Sequence, residues 1–348
     1  MIGGSAGSIQ TLETILANLP ANFPAAIFVV VHMPADYPSM LSHVLSRVGR
    51  LPAINPADLE EIHHGNIYVA RPDLHLVIED GRVLLARGPR ENRHRPAIDP
   101  LFRSAAREYG PRVIGIVLSG LQDDGSAGLY AVKRRGGIAI VQDPRDTLWG
   151  DMPRHALSYA SPQYVLRTDE IPANLVQLVQ AGEPAMVKKN PQHKKTNGKN
   201  HKNEISSAGL ERPSVNLETA FPNEGEGTPS VFACPECHGV LWEFKDEEMV
   251  HFRCRVGHSY GADSLATELS AASETALWAA VRALEEKAAM QRRVAGERED
   301  LVSHRLLDQS AADDANARMI RDMIFRHDAQ LEPDSAPSAS GDPDKKVA

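Results

Sequence analysis

From Gly3 to about Gly182, short apolar runs rich in β-branched residues alternate with helix-length stretches whose apolar positions recur every three to four residues. That alternation predicts a doubly wound α/β fold, a mostly parallel sheet with helices on both faces. Ala26 to Val31, Val113 to Leu118 and Ile138 to Val141 read as buried strands. Asn66 to Ala70 and His75 to Arg87 read as antiparallel strands, with Asp80-Gly81 as a tight hairpin turn. A helix is expected over Ser8 to Asn18. Another starts at Asp99-Pro100, an N-cap followed by a first-turn proline, and reaches Glu108.

The periodicity stops near Ala185. Residues up to Ser230 are rich in Lys, Asn, Gly, Pro and Ser, the composition of a flexible linker, and its lysines (188, 189, 194, 195, 199 and 202) read first as a solvated stretch. A Cys/His segment follows. Beyond it Leu265, Leu269, Leu277, Val281 and Leu284 recur at helical spacing beside Trp278, which predicts a helical hairpin or an oligomerising helix. The expected boundaries are a first domain over 1–183, a linker over 184–230, a Cys/His module over 231–261, a helical segment over 262–330 and a disordered tail over 331–348.

Charge and composition narrow the function. A net charge of -8 argues against a nucleic-acid binder with a broad basic face. No run of 18 apolar residues and no basic-then-apolar start is present, so neither a membrane span nor a signal peptide is expected, and a cytoplasmic protein is. The three cysteines all lie between 234 and 254, which suits a metal site rather than a disulfide framework.

Chemistry enters at Gly3-Gly4-Ser5-Ala6-Gly7. The pattern fits a nucleophile elbow, in which small neighbours allow a sharp strand-to-helix turn that lifts the serine hydroxyl into solvent. It fits equally a glycine loop cradling a phosphate at a helix N-terminus. A dinucleotide site would need an acidic residue at the end of the next strand. Here Val31 is followed by His32-Met33-Pro34 instead, so the hydrolase reading gains. The strand Val113 to Leu118 runs into Ser119-Gly120-Leu121-Gln122-Asp123-Asp124-Gly125, and on spacing alone either aspartate can orient an imidazole. The order Ser, His, Asp differs from the Ser, Asp, His order of the α/β-hydrolases.

These stretches, with Gly65-Asn66-Ile67-Tyr68-Val69-Ala70, Asp99-Pro100-Leu101-Phe102-Arg103-Ser104 and Asp151-Met152-Pro153 after Gln142-Asp143, resemble the chemotaxis receptor protein-glutamate methylesterase family over nearly all of residues 1–180. The resemblance implies hydrolysis of glutamate γ-methyl esters on receptor helices, with glutamine deamidation as a related activity and no catalytic cofactor. It places nucleophile, base and orienting acid on Ser5, His32 and Asp124. It implies methyl-accepting chemotaxis receptors as partners, with a methyltransferase or a receiver-domain protein beside them. Candidate oxyanion donors are backbone N–H groups near Ala6 and in Gly120 to Gln122. Leu121, Gln122 and Ser126 depart from the family's usual residues, which bears on substrate fit. Family members carry a full strand before the nucleophile loop, where this chain has Met1 and Ile2, so upstream codons are expected to encode an apolar run. No receiver domain is expected ahead of the serine. A non-catalytic scaffold retaining the hydrolase fold is the competing reading.

Cys234-x-x-Cys237 and Cys254-x-x-x-His258 offer three thiolates and an imidazole, a donor set for structural zinc in a ribbon-like hairpin turned at Gly239 and Asp246, with His251 or His238 as alternative fourth ligands. A closed four-ligand site leaves no place for substrate. The expected use is folding and, with the following helix, docking of a partner.

Overall fold

Residues 27–31 show why the main sheet is covered on both sides. Ile27, Val29 and Val31 enter one apolar cluster while Phe28 and Val30 enter another, so the period-two alternation of an extended chain feeds two cores. The computed structural model describes residues 1–35, 39–181, 227–246, 249–296 and 301–331, in two compact units, Met1–Ala266 and Thr267–Ala348. The linker expected over 184–230 lies, up to residue 226, outside the described residues, and so does the tail from residue 332.

In chain order the first unit begins β1 (Ile2–Gly4), α1 (Ser8–Ala17), β2 (Ile27–Val31), α2 (Leu41–Val48), β3 (Ala53–Ile54), β4 (Glu60–Glu61) and β5 (Ile67–Val69). It continues with β6 (His75–Glu79), β7 (Arg82–Ala86), α3 (Ile98–Tyr109), β8 (Ile114–Val117), α4 (Ser126–Arg134), β9 (Ile138–Gln142), α5 (Asp151–Ala160), β10 (Tyr164–Leu166) and α6 (Ile171–Ala181). Then come β11 (Thr228–Ala233), β12 (Val240–Asp246), β13 (Met249–Cys254), β14 (Ser259–Gly261) and the helix α7 (Ala262–Gly296), followed by α8 (Leu301–Leu331).

Seven strands form one sheet in the order β10-β9-β8-β1-β2-β5-β3, and all its pairings are parallel. Leu12, Ile15 and Leu16 of α1, Leu45 of α2 and Ile171 of α6 pack in the cluster on one face. Leu101, Phe102 and Ala105 of α3, Leu129 and Val132 of α4, and Met152 and Ala156 of α5 pack on the other. β6 and β7 pair as the expected hairpin, with Asp80 and Gly81 both at positive φ, and its Leu76, Ile78 and Val83 add to the second face.

Two expectations are corrected. Residues 67–69 join the main sheet parallel to β2 and β3 rather than antiparallel to anything. Ile67, Tyr68 and Val69 are all buried, the continuous apolar run of a two-sided interior strand. Asp99 is not a helix cap. α3 starts two residues earlier, after Ala97, and the Asp99 carboxylate turns into the protein to accept from the Gly128 N–H at 2.6 Å.

β11 to β14 form a separate antiparallel sheet in sequence order. β12 ends at Asp246 and β13 begins at Met249, and the positive φ near Gly239 falls on His238. In the second unit, Val281, Ala288 and Ala295 of α7 and Ala317 and Ile324 of α8 are buried, and Trp278 meets Phe325 edge-on at 5.9 Å. Ion pairs Lys287–Asp313 at 3.0 Å and Arg292–Asp314 at 2.5 Å join the two helices, and Trp278 opposite Phe325 with Arg292 opposite Asp314 shows that they run antiparallel, a helical hairpin, one of the two arrangements expected from the apolar spacing. None of the described helices is long and apolar enough to cross a membrane.

Candidate active site

From β1 the sheet grows outward through β2 to β5 and β3, and the chain then returns to lay β8 against the other edge of β1. The strand order therefore reverses between β1 and β8. A crevice opens at such a point, outside the carboxyl ends of the strands. Ser5 follows β1, His32 follows β2, and Ser119 to Asp124 follow β8, so all three loops reach this crevice.

Local bonding fixes the serine loop. The Ser5 N–H donates to the Ser119 carbonyl at 2.8 Å, and the Ser5 carbonyl accepts from the Ser8 N–H at 3.1 Å and the Ser8 hydroxyl at 2.7 Å. Gly7 takes φ +76° to enter α1, a left-handed turn that favours glycine. At Gly120 a Cβ would fall 2.1 Å from Met152 Sδ and 2.8 Å from Ser5 Cβ, so only glycine lets the β8 loop close on the serine.

The His32 side chain is 5% exposed and lies 2.7 Å, through Nε2, from Asp124 Oδ2. Its N–H donates to the Gly4 carbonyl at 3.2 Å, which ties the loop after β2 to the end of β1. Asp124 is 1% exposed and accepts four further N–H groups. Oδ2 takes Ile98 at 2.7 Å, while Oδ1 takes the Asn92 side chain at 3.0 Å, Gly125 at 3.0 Å and Asp99 at 3.3 Å. Burial alone would raise this carboxyl. The hydrogen bond and charge of His32, with the Ile98 and Asn92 donors, reverse that and hold it well below the usual carboxylate range. An ionised carboxylate only accepts, so in the neutral ring the hydrogen sits on Nε2 and the lone pair on Nδ1. Nδ1 is buried and has no hydrogen-bond partner among the described residues, Ser5 Oγ included. Ser5 and His32 line one open groove of about 920 Å³ with Ile9, Gln10, Leu148 and Trp149.

Three neighbours escaped the sequence reading. The His94 ring stacks on His32 with centroids 3.5 Å apart, and burial, helped by His32, pulls its pKa down to about 3, so it lies on His32 as a neutral plate. The Asn92 amide bridges Asp124 and Asp99 through Nδ2, with both distances 3.0 Å. Asp99 is pushed well up by burial and then by the charge of Asp124, so of the two adjacent carboxyls it is the one that takes up a proton first. All three sit on loop or helix-start positions without periodicity. Asn92 at φ 47° is the one local signal, since Asn tolerates that region better than most residues.

Asp123 turns away from the imidazole and accepts the Ser264 hydroxyl. Among the expected oxyanion donors, the Gly120 N–H is already spent on the Trp149 carbonyl at 2.9 Å. Cys234, Cys237, Cys254 and His258 come together elsewhere, with their donor atoms all within 4.8 Å of one another.

The Asp99 shift carries a stability prediction. Its folded pKa lies above the unfolded value near 3.9, so below that pH both states are protonated and nothing is lost. As pH rises past it, the unfolded state ionises first, and stability falls by about 1.4 kcal/mol per pH unit until the folded group follows. Asp99→Asn removes that loss. Urea unfolding should show the variant gaining on the parent chain as pH goes from 4 to 8, and an equal offset at both ends would contradict the assignment.

A parallel sheet carrying a serine loop and a buried imidazole–carboxylate pair at its switch point is the frame of a hydrolytic enzyme. The family model for CheB methylesterase matches residues 1–175, and the chain belongs to that family, whose members are carboxylic ester hydrolases. A Leptospira interrogans protein, whose provisional name pairs protein-glutamate methylesterase with protein-glutamine glutaminase, is 37% identical over 181 residues, covering 52% of this chain and 94% of its own. A Thermotoga maritima protein of the same paired name is 35% identical over 183 residues, 51% of this chain and 53% of its own length. The crystal structure of the Thermotoga maritima CheB methylesterase catalytic domain is 35% identical, covers 51% of this chain and 96% of that one, and has a TM-score of 0.49.

Proposed function

We propose that residues 1–183 hydrolyse glutamate γ-methyl esters, and deamidate glutamine, on the cytoplasmic helices of chemotaxis receptors, with Ser5 as nucleophile, His32 as base and Asp124 as orienting acid. The observation that carries this is the buried His32–Asp124 pair at 2.7 Å with its Nδ1 lone pair unspent beside the serine groove. Ser5 Oγ attacks the ester carbonyl as its proton passes to His32 Nδ1. Methanol leaves with that proton, and water, deprotonated by the same nitrogen, resolves the acyl-enzyme. Throughout, Asp124 holds Nε2–H and stabilises the imidazolium. The N–H groups of Ala6 and Gly7, where α1 begins and the first amides lack intrahelical partners, are the oxyanion donors, at roughly 3 kcal/mol each.

The rim suits a helix as substrate. Ile9 and Trp149 are each 44% exposed and Leu148 is 95% exposed around the groove, an apolar border for the apolar stripe of a receptor helix. Trp149→Ala should raise KM for methylated receptor roughly 10- to 30-fold, with a much smaller fall in kcat. An unchanged KM would remove this surface from substrate binding.

The Cys/His cluster is proposed as a structural zinc site. Cys237 and Cys254 Sγ lie 3.5 Å apart, Cys254 Sγ lies 3.4 Å and Cys234 Sγ 3.6 Å from His258 Nδ1. Four donors about 2.0–2.3 Å from a common centre sit about 3.3–3.8 Å from one another, so the set fits a tetrahedral ion. His258 Nε2 faces Glu236 at 3.2 Å, which fixes the tautomer that leaves Nδ1 to the metal.

Methanol release from a methylated receptor fragment, followed with stoichiometric labelling of Ser5 by a fluorophosphonate, tests the proposal. Release that is blocked by the label is expected. A chain that neither releases methanol nor takes the label would overturn it.

A further inference from the structure

We infer that the Cys3His module clamps the catalytic carboxylate, with β14 holding Asn92 and Asn92 holding Asp124, so that the metal-bound fold of the module sets the rate of ester hydrolysis. The inference rests on reading Asp124 as the orienting acid, and the geometry runs without a gap from one centre to the other. His258, a donor of the cluster, directly precedes β14. The Ser259 carbonyl in that strand accepts the Asn92 backbone N–H at 2.8 Å, and the Gly261 N–H donates to Asn92 Oδ1 at 2.9 Å. With its oxygen held by β14, the Asn92 amide must turn Nδ2 inward, onto Asp124 Oδ1 and Asp99 Oδ2.

The contact is built rather than incidental. Ser259 also bridges Glu91, and its N–H reaches the Arg90 carbonyl at 3.4 Å. A Cβ on Gly261 would lie 1.9 Å from Asp123 Oδ2, and one on Gly257 would lie 2.9 Å from Pro89 Cγ, so the module approaches the catalytic loops at glycines. Asp123, the neighbour of the orienting acid, takes the Ser264 hydroxyl at the start of α7. Residues 90–92 belong to no helix or strand; Glu91 bridges His94 and pairs with Arg103 at 2.6 Å, and Asn92 beside it is held through β14. β14 supplies the pairing that a strand neighbour would supply. Asn92 thereby acts as a positioning residue, touching no substrate and working through Asp124.

The test uses the full zinc-loaded chain. Asn92→Ala, and Asn92→Asp, which keeps the acceptor for Gly261 but loses the donor to Asp124, should each lower kcat for methanol release about 10- to 100-fold while changing KM far less. Both should also shift the low-field Nε2–H resonance of His32. Cys237→Ser weakens the metal site on the far hairpin. It should cause the same two changes in the parent chain and add nothing in Asn92→Ala. Unchanged kcat and resonance in both Asn92 variants overturn the clamp, as does a Cys237→Ser loss that adds in full to that of Asn92→Ala. If the parent chain released no methanol, the triad reading would fall on its own. The resonance would still decide the clamp, since a shift on zinc removal sustains it and an unmoved line refutes it.

Discussion

Ser5→Ala is expected to reduce kcat for methanol release by about 10^6-fold, and Asp124→Asn by about 10^4-fold, in chains that remain folded. The serine effect follows from loss of the attacking atom. The asparagine effect follows from a choice the surrounding donors force. An Asn at 124 must present its amide nitrogen either where Oδ1 now is, against the N–H groups of Asn92, Asp99 and Gly125, or where Oδ2 is, against the single N–H of Ile98 and the ring of His32. The second arrangement opposes fewer donors. It places an N–H against Nε2, so the ring proton moves to Nδ1 and the lone pair that would accept the Ser5 proton disappears. The fold should survive, because most of the accepted N–H groups keep their oxygen. Single-turnover assays would show acylation, not binding, as the failed step. A variant with kcat within tenfold of the parent would refute the role assigned to Asp124.

That assignment also marks how far sequence reaches. His32 was readable because a histidine ending a five-residue apolar strand beside a glycine-serine loop has few structural duties. Asp123 and Asp124 were inseparable on spacing, and only the family resemblance favoured the second. The structure separates them by backbone direction, since one carboxylate enters the crevice and its neighbour turns to Ser264. β5 was misread because apolar alternation carries no strand direction. The direction comes from the crossover through α2, and the one usable sign was the unbroken burial of Ile67 to Val69. Asn92 and His94 could not be found at all. Their loop has no periodicity, and Asn92 takes its role from Asp99, Asp124 and Gly261, and His94 from His32, partners that only the folded chain assembles.

The Cys/His cluster was readable for the opposite reason, since its four donors are close in sequence and their spacing is their function. Removing metal by chelation is expected to unfold β11 to β14 while the sheet of the first 181 residues stays intact. The module's buried apolar side chains are few, chiefly Leu241, Phe252 and Tyr260, and β11 is largely exposed. A segment of this size needs a metal or disulfide to hold it. Its cysteines are free, so on the proposed zinc reading the ion supplies what a core would, on the order of 10 kcal/mol in small zinc modules. The main sheet, by contrast, has an apolar cluster on each face and borrows nothing from the module. Hydrogen exchange with and without chelator should therefore split the first unit, protection vanishing over 228–261 and persisting at Val29, Val30 and Ile116. Zinc should be released at one equivalent per chain. If the module kept its protection after the metal had gone, its fold would have another source. The strand that holds Asn92 would then be indifferent to the ion.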